Sequence, residues 1–335
     1  MAKSFLGVDI GYDSLKLALV NGEKVRKSAV VPMPNNLVKE GRVVSTETMG
    51  ELLRSTMKEY GIHCRNAAIV LPNETVYVRN ATMPQMSVDQ LKYNLPFEFR
   101  DYITDELKDY VYDYAMITTP EEMEAESDEE GGRSMELMAA AAPRTLLEES
   151  AELLRKAGLK MLKAVPAVCC YQSLIRRLEA KRGSASEYCI LDLGYQAIRM
   201  YMFHGDRHVV TRVLEIGMSS LDQVLADAHN VDIHLAHTYL LTNHENCQQQ
   251  EVCRNAYGNI AVELMRALNF YRFSNPDSQL GDVWLCGGGA VIEPLRSAIA
   301  DTLDMRLHSA SELVPGGESL EDCNALIQAI GVTLE

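Results

Sequence analysis

Two short segments, Asp9-Ile10-Gly11 and Asp192-Leu193-Gly194, each end an apolar stretch, and three glycines follow one another at 287–289. Glycine lets main-chain N–H groups approach a phosphate without a Cβ in the way. Carboxylates beside a triphosphate bind Mg²⁺ mostly through its water molecules. The candidate metal-side residues are Asp9 and Asp192, and the candidate phosphate-binding glycines are Gly11, Gly194, Gly287, Gly288 and Gly289. Asp and Gly are also ordinary turn residues, so tight hairpins without a ligand are the alternative.

Both Asp-x-Gly segments belong to an internal repeat. Residues 5–24 align with residues 188–207 without a gap, at an offset of 192 − 9 = 183. Each copy has the pattern of a strand, a turn, a second strand and a further Gly-containing turn that begins a third strand. The repeat therefore predicts two lobes that begin with the same hairpin.

Further candidate cofactor-binding residues lie near these turns. Lys16 aligns with Arg199 in the repeat and could neutralise phosphate charge, although a strand lysine that faces solvent is the more common arrangement. Ser14 supplies a hydroxyl close to the first turn, and Gly217 precedes a helix predicted to begin at Ser219 or Ser220.

Length and composition are those of a globular protein of about two domains. The chain has 335 residues, 47% hydrophobic and 24% charged, with a formal net charge of −15 that disfavours nucleic acid and anionic lipid as partners. The charge-free stretch 164–175 has twelve residues and none is longer, whereas a membrane-spanning helix needs roughly 20. Eight scattered cysteines and an N-terminus that leads directly into a strand pattern favour a reducing, cytoplasmic location.

The segments between the repeat copies alternate strand and helix, which is typical of an α/β sheet covered by helices. Helices are predicted over 45–60, from the capping box at Ser87 and from Thr145 to Gly158. Strands are predicted on both sides of a turn at 72–73 within 66–79, over 108–118 and over 135–142. The acidic run 120–132 is predicted to be a surface loop.

After the second copy, the pattern predicts three helices, a strand and two further helices. The helices begin at Ser219 or Ser220, at Asp232 and at Glu251, the last running to Phe273. A strand follows at 282–286, then a helix with Pro294 in its first turn and a closing helix over 324–334.

The phosphate-side residues resemble a known set of motifs. Asp9-Ile10-Gly11 with Lys16, Asp192-Leu193-Gly194 and 285–289 resemble the phosphate-1, phosphate-2 and adenosine motifs of the actin, Hsp70 and sugar-kinase superfamily. The sequence between these motifs resembles the type IV pilus assembly protein PilM family, and the match runs nearly from end to end. It is carried by the segments 82–87, 95–97, 113–114, 157–160 and 266–271.

This resemblance implies an α/β, bilobed actin-like fold, duplicated and ribonuclease H-like, with an inserted 1C-type subdomain in lobe one as in the FtsA-like branch. Lobe one would be 1–187, with subdomain 1A at 1–80 and 144–187 and subdomain 1C at 81–143. Lobe two would be 188–335, with subdomain 2A at 188–217 and 281–335 and subdomain 2B at 218–280. The resemblance also implies ATP and Mg²⁺ in the cleft, with Glu263 and Arg266 reaching the adenosine. An exposed i,i+3 ion pair is the alternative for these two residues.

The same resemblance implies a cytoplasmic scaffold in the inner-membrane platform of type IV pili or of a related secretion or competence apparatus. Its partner would be the cytoplasmic N-terminal tail of a PilN-like bitopic membrane protein, held in a groove between subdomains 1A and 1C. The scaffold would reach the membrane only through that partner, and a homo-oligomer is compatible with this arrangement.

Two departures from the superfamily pattern concern ATP hydrolysis. The second phosphate turn continues with Tyr195-Gln196-Ala197, where much of the superfamily has a hydroxyl residue. Residues 160–178 contain no Asp or Glu that could orient an attacking water. We expect slow hydrolysis or none, because phosphoryl transfer depends on positioning and charge stabilisation. The alternatives are an active ATPase or small-molecule kinase of the same superfamily and a filament-forming protein.

Overall fold

The computed structural model describes residues 4–118, 134–182 and 186–334. The strands of this part of the chain are β1 (Ser4–Ile10), β2 (Ser14–Asn21), β3 (Lys24–Pro32), β4 (Val38–Lys39), β5 (Arg42–Val43), β6 (Asn66–Leu71), β7 (Tyr77–Pro84), β8 (Tyr110–Met116), β9 (Ser134–Pro143), β10 (Lys160–Pro166), β11 (Glu187–Leu193), β12 (Ile198–His204), β13 (Arg207–Leu214), β14 (Asp282–Cys286) and β15 (Arg306–Ser309). The α-helices are α1 (Thr46–Glu59), α2 (Val88–Asn94), α3 (Arg144–Lys156), α4 (Ala167–Arg182), α5 (Met218–His229), α6 (Ile233–Thr242), α7 (Glu251–Ser274), α8 (Glu293–Leu303) and α9 (Cys323–Gly331). The acidic run at 120–132 lies outside the described residues.

The main sheets have the same topology. Their strand orders are β10-β6-β1-β2-β3 in the first lobe and β15-β14-β11-β12-β13 in the second. In each sheet the central strand, β1 or β11, pairs antiparallel with the next strand in sequence and parallel with the strand on its other side. This equivalence confirms the duplication that the repeat predicts.

The two sheets face each other across a layer that contains α4 and α9. One buried cluster joins side chains of both helices to residues of both sheets, including Val20 of β2, Tyr171 of α4, Tyr188 of β11 and Leu326 of α9. Burial of these large side chains stabilises the contact between the lobes, because each removes much apolar surface from water. The cleft between the turns therefore has a packed floor.

A third sheet, in the order β7-β9-β8, is inserted in the chain between β6 and β10. Its core contains Leu91 of α2, Leu95 and Phe99 from the turn that follows α2, and Leu137 of β9. Helix α2 begins with the predicted capping box, in which the Ser87 hydroxyl accepts from the Gln90 N–H and the Gln90 side chain accepts from the Ser87 N–H. The predicted subdomain boundaries remain a prediction, and β7 begins at Tyr77, before the predicted start of the insertion at 81.

Two predicted helix starts are wrong by one or two residues. Helix α3 begins at Arg144 after Pro143, and Thr145 caps nothing because its hydroxyl accepts from the Arg42 guanidinium at 3.0 Å. Helix α5 begins at Met218, with Gly217 at the N-cap. Over the three described ranges, we find no helix with both the length and the apolar composition required to cross a membrane.

Candidate functional site

The two Asp-x-Gly turns line one cavity between the lobes. Since β1 and β11 occupy equivalent positions in their sheets, their carboxyl ends bring Asp9 and Asp192 to this cavity of about 100 Å³. The predicted site residues that line it are Asp9, Gly11, Lys16, Asp192, Gly194, Gly287 and Gly288. Ligand pockets commonly measure about 300–1,000 Å³, so this cavity by itself is smaller than a nucleotide site, and it shares lining residues with a larger groove between the lobes.

The first turn is held by its own main chain. The Gly11 N–H donates to the Ser14 carbonyl at 3.0 Å, and the Ser14 hydroxyl donates to Asp13 Oδ1 at 3.2 Å. A Cβ at Gly11 would lie 2.6 Å from Lys16 Nζ, so glycine leaves room for the ammonium beside the turn. Ser14 supports the turn through Asp13 and is itself buried outside the cavity lining.

Lys16 is the buried cation of the first lobe. It lies opposite Asp9 in the β1–β2 register, and its Nζ is 3.5 Å from Asp9 Oδ2. Burial lowers the pKa of Lys16, but Asp9, Asp13 and Asp192 outweigh burial and raise this pKa above its ordinary value. Lys16 is therefore charged at neutral pH, and the alternative of a solvent-facing strand lysine is wrong because only 10% of its side chain is exposed.

Asp192 is the buried carboxylate that the second lobe contributes to the cavity. Gln328 of α9 donates from Nε2 to Asp192 Oδ2 at 2.8 Å and to the Tyr171 hydroxyl at 2.9 Å. Burial raises the pKa of Asp192, and it also raises the pKa of Asp9, where Lys16 offsets part of the effect. Two buried carboxylates with raised pKa values form a site that would gain from additional positive charge.

The glycine run closes the cavity on the side of the second lobe. Gly287 has φ +85°, and a Cβ there would lie 2.5 Å from Asp192 Oδ1 and 2.8 Å from the Leu193 carbonyl oxygen. A Cβ at Gly288 would lie 3.3 Å from Asp13 Oδ2 of the first lobe. Glycine is required here because the backbone passes directly against both Asp-x-Gly turns.

Two other predicted glycines support the second turn from outside the cavity lining. A Cβ at Gly217 would lie 2.3 Å from the Tyr195 carbonyl oxygen, and one at Gly289 would lie 2.4 Å from Met218 Sδ. The N–H groups of Met218 and Ser219 donate to carbonyls of the turn, Gly194 and Tyr195. Gly217 and Gly289 thus pack the start of α5 against the turn.

Tyr195 itself lines the cavity and also contacts the body of the second lobe. Its ring lies edge-on to His237 with centroids 5.5 Å apart. His237 Nδ1 and Asp222 Oδ2 are 2.9 Å apart, and Asp222 is fully buried. Burial and the nearby Asp222 raise the pKa of Tyr195. The tyrosine that follows the second Asp-x-Gly turn thus packs against this His237–Asp222 pair.

Glu263 and Arg266 lie elsewhere. They form an i,i+3 ion pair on α7, with 46% and 68% of their side chains exposed. Neither belongs to the lining of the cavity in the described residues. This arrangement is the alternative that the sequence leaves open for these two residues.

Three charged residues of the cavity lining were not predicted: Asp13, Glu74 and Arg199. Asp13 follows Gly11 in the first turn, and Arg199 lies opposite Asp192 in the β11–β12 register, as Lys16 lies opposite Asp9. Arg199 donates from a terminal guanidinium nitrogen to Glu74 Oε1 of the first lobe. The repeat alignment of Lys16 with Arg199 was the available signal for Arg199, whereas no sequence pattern singles out Glu74.

The carboxylates, lysine and glycines of the cavity are the types of residue that bind a magnesium nucleotide. In the described ranges, no group of three or more His, Cys, Asp or Glu side chains is arranged to hold a metal ion on its own. Mg²⁺ usually takes one or two protein carboxylates and completes its shell with water and phosphate oxygens, which Asp9 and Asp192 would allow. Main-chain glycines and Lys16 supply the groups that bind phosphate.

Comparison with known proteins identifies the family. The model of the family described as type IV pilus assembly protein PilM matches residues 7–313. A solved PilM-PilN type IV pilus biogenesis complex is similar, with 23% identity, 98% of this chain and 96% of that chain covered, and a TM-score of 0.82.

More distant solved structures have the same fold. The ethanolamine utilization protein EutJ from Carboxydothermus hydrogenoformans is 15% identical, with 100% and 89% of the two chains covered and a TM-score of 0.61. MreB5 of Spiroplasma citri, bound to ADP, is 11% identical, with 99% and 95% covered and a TM-score of 0.50. The predicted bilobed actin-like fold is confirmed, and the chain belongs to the type IV pilus assembly protein PilM family.

Proposed function

We propose that this chain is an ATP-binding, cytoplasmic scaffold of the inner-membrane platform of type IV pili or of a related secretion or competence apparatus. It docks the N-terminal tail of a PilN-like membrane protein and reaches the membrane through that protein. The observation that carries the proposal is an apolar groove of about 350 Å³ between the third sheet and the first-lobe sheet, in a chain of this family.

The groove suits an extended apolar peptide. Among its lining residues, Asp113 alone carries a formal charge, and the walls come from β8, β9, β10 and α4. Strands β8 and β10 each pair with one neighbour among the described strands, so each offers a backbone edge for strand addition. We expect the tail to present apolar side chains to the walls and a basic residue to Asp113.

Nucleotide binding is supported by the cleft. Lys16 and the main chain at Gly194 and Gly288 would hold the phosphates of ATP, and Asp9 and Asp192 would take Mg²⁺ through its waters. The Gly11 N–H closes its own turn, so Gly11 would contribute by leaving room beside Lys16. When bound, Mg²⁺ supplies positive charge to the phosphates and to the buried carboxylates. Because the cavity of about 100 Å³ is smaller than a nucleotide site, we expect the lobes to move apart at the cavity when a nucleotide binds.

A physical link joins cleft and groove. The hairpin of β12 and β13 contacts the first lobe through Arg176 and Asp206, 2.6 Å apart, and contacts the third sheet through Arg207 and Glu136 of β9. Strand β9 also lines the groove, at Met138, Ala140 and Ala142. A lobe movement that favours one cleft state would therefore change the groove, and peptide and nucleotide affinities would be coupled reciprocally.

Matched substitutions on β8 test the docking site. Ala115 lines the groove and Met116 does not, although both side chains are exposed. Ala115→Glu should weaken binding of the partner's tail peptide by about tenfold or more, because it puts a charge against apolar walls. Met116→Glu should leave affinity within about twofold. Equal affinity for both variants, measured by fluorescence anisotropy, would exclude the groove as the docking site.

Hydrolysis is expected to be slow or absent. Residues 160–178 supply no acid that could orient an attacking water. Steady-state phosphate release should therefore remain far below about 1 s⁻¹, the lower end of typical kinase turnover. Release at or above that rate would favour the alternative, an ATPase or small-molecule kinase.

A further inference from the structure

The Glu74–Arg199 ion pair forms part of the wall between two spaces. On one side is the cavity of about 100 Å³, and on the other is an interlobe groove of about 1610 Å³. Residues that line both are Tyr12, Val38, Asn73, Glu74, Gln196 and Arg199. The pair joins the loop after β6 in the first lobe to β12 in the second, so it ties the lobes at the point where the cavity would open.

Arg199 has more hydrogen-bonding capacity than the described contacts use. Its side chain is 12% exposed, and its Nε is buried with no acceptor among the described residues. Arginine presents five N–H donors in a planar fork, which suits a phosphate better than a single carboxylate oxygen. Burial lowers the pKa of Arg199, but Tyr201, Glu74 and Asp192 raise it overall, and the guanidinium is charged.

Glu74 is fixed in place beside this guanidinium. A Cβ at Gly41 would lie 3.0 Å from Glu74 Oε2 and 3.2 Å from Glu74 Cβ, so the chain at Gly41 packs directly against the Glu74 side chain. Only 30% of the Glu74 side chain is exposed. The carboxylate is therefore a built part of the wall and does not move freely in solvent.

We propose that the Glu74 carboxylate occupies the position on Arg199 that a nucleotide phosphate would take. The Glu74–Arg199 ion pair then acts as a latch that holds the lobes together until a phosphate replaces the carboxylate. The inference rests on the proposed nucleotide site and adds a phosphate-binding residue, Arg199, that mirrors Lys16 in the repeat. In the structure, the cation of the second lobe that would bind phosphate is held by a carboxylate of the first lobe. Nucleotide phosphate and Glu74 then exclude each other at the guanidinium.

Substituting Glu74 and Arg199 separately tests whether Glu74 competes with phosphate or only holds Arg199 in position. Glu74→Gln should bind Mg²⁺-ATP about tenfold more tightly, because one charge-assisted hydrogen bond no longer has to be broken. Arg199→Gln should bind about tenfold or more weakly. Asp206→Asn is the matched control, since Asp206 and Arg176 form another interlobe ion pair that does not line the cavity, and its affinity should stay within about twofold.

Titration calorimetry with adenosine as a second probe completes the test. Adenosine lacks phosphate and cannot replace the carboxylate on Arg199, so Glu74→Gln should raise its affinity by less than the affinity for Mg²⁺-ATP. Folded Glu74→Gln that binds Mg²⁺-ATP as wild type does, or less tightly, would overturn the latch. Glu74→Asp, which shortens the side chain and keeps the charge, gives a second measurement if Glu74→Gln does not fold, and it should also bind more tightly. Wild type that binds no nucleotide would instead refute the proposed nucleotide site.

Discussion

Gly287→Ala is the substitution whose cost follows most directly from the structure. Gly287 has φ +85° and ψ 174°, a region that is essentially restricted to glycine and costs an L residue about 1–3 kcal/mol. Its new Cβ would also lie 2.5 Å from Asp192 Oδ1 and 2.8 Å from the Leu193 carbonyl oxygen. Ordinary contact begins near 3.4 Å, so these atoms must separate by 3.4 − 2.5 = 0.9 Å and 3.4 − 2.8 = 0.6 Å. Because one of them belongs to the main chain of β11, the strand end itself must move.

Overpacking of this kind typically costs about 1–3 kcal/mol, so together with the backbone cost we expect Gly287→Ala to lower the free energy of unfolding by about 2–6 kcal/mol. Gly316→Ala is the matched control. Gly316 has φ +75° with no atom within 4 Å of the new Cβ, so only the backbone cost of about 1–2 kcal/mol applies. Urea denaturation measures both differences, and the midpoint should fall without a change of slope.

Nucleotide binding provides the functional half of this experiment. Displacement of Asp192 and of the end of β11 should weaken Mg²⁺-ATP binding in Gly287→Ala, whereas Gly316→Ala should bind as wild type does. If both variants lost the same stability and retained the same affinity, the close contact between the glycine run and the second Asp-x-Gly turn would not exist as described.

Two pH-dependent predictions follow from buried groups. Burial raises the pKa of Asp192, so its ionised form is disfavoured in the folded protein. Above the folded pKa, Asp192→Asn should therefore be at least as stable as wild type, and this advantage should disappear as the pH falls through that pKa. The variant should also lose Mg²⁺-ATP binding. Lower stability of Asp192→Asn at neutral pH would contradict this. Burial lowers the pKa of His208 from 6.5 to about 4, so stability should fall as the pH decreases between these values. His208→Gln should flatten that part of the denaturation profile, and an equally steep profile would count against it.

The contacts of the β12–β13 hairpin connect the nucleotide cavity to the peptide groove of the proposed scaffold. Arg199 lies near the start of β12, and the turn after β12 carries the contacts with α4 and β9. Asn80 of β7 also donates to the His208 carbonyl at 2.8 Å. One strand therefore connects the cavity wall to the sheet that forms the peptide groove, and the latch and peptide affinity can be measured in the same variants.

The sequence by itself determined the duplicated hairpins, most of the elements and the residues at the strand ends. Local rules suffice for these: alternation gives strands, Ser87 with Gln90 gives a capping box, and Asp-x-Gly after an apolar run gives a turn. The repeat then places Asp9 and Asp192 in equivalent positions, because both copies have the same order of apolar strand, Asp-x-Gly turn and second strand.

Only the tertiary structure decided which of these residues share a cavity. Glu74 lies 125 residues from Arg199 in the chain, and their contact depends on how the two lobes pack on α4 and α9. Sequence alone does not distinguish Gly217 and Gly289 from Gly287, yet these two glycines pack α5 against the turn. The position of α5 is set by burial of the whole apolar face of the helix. Glu263 and Arg266 were separated from the cavity for the same reason. Sequence pattern fixes what each segment can form, whereas long-range packing fixes what each side chain can reach.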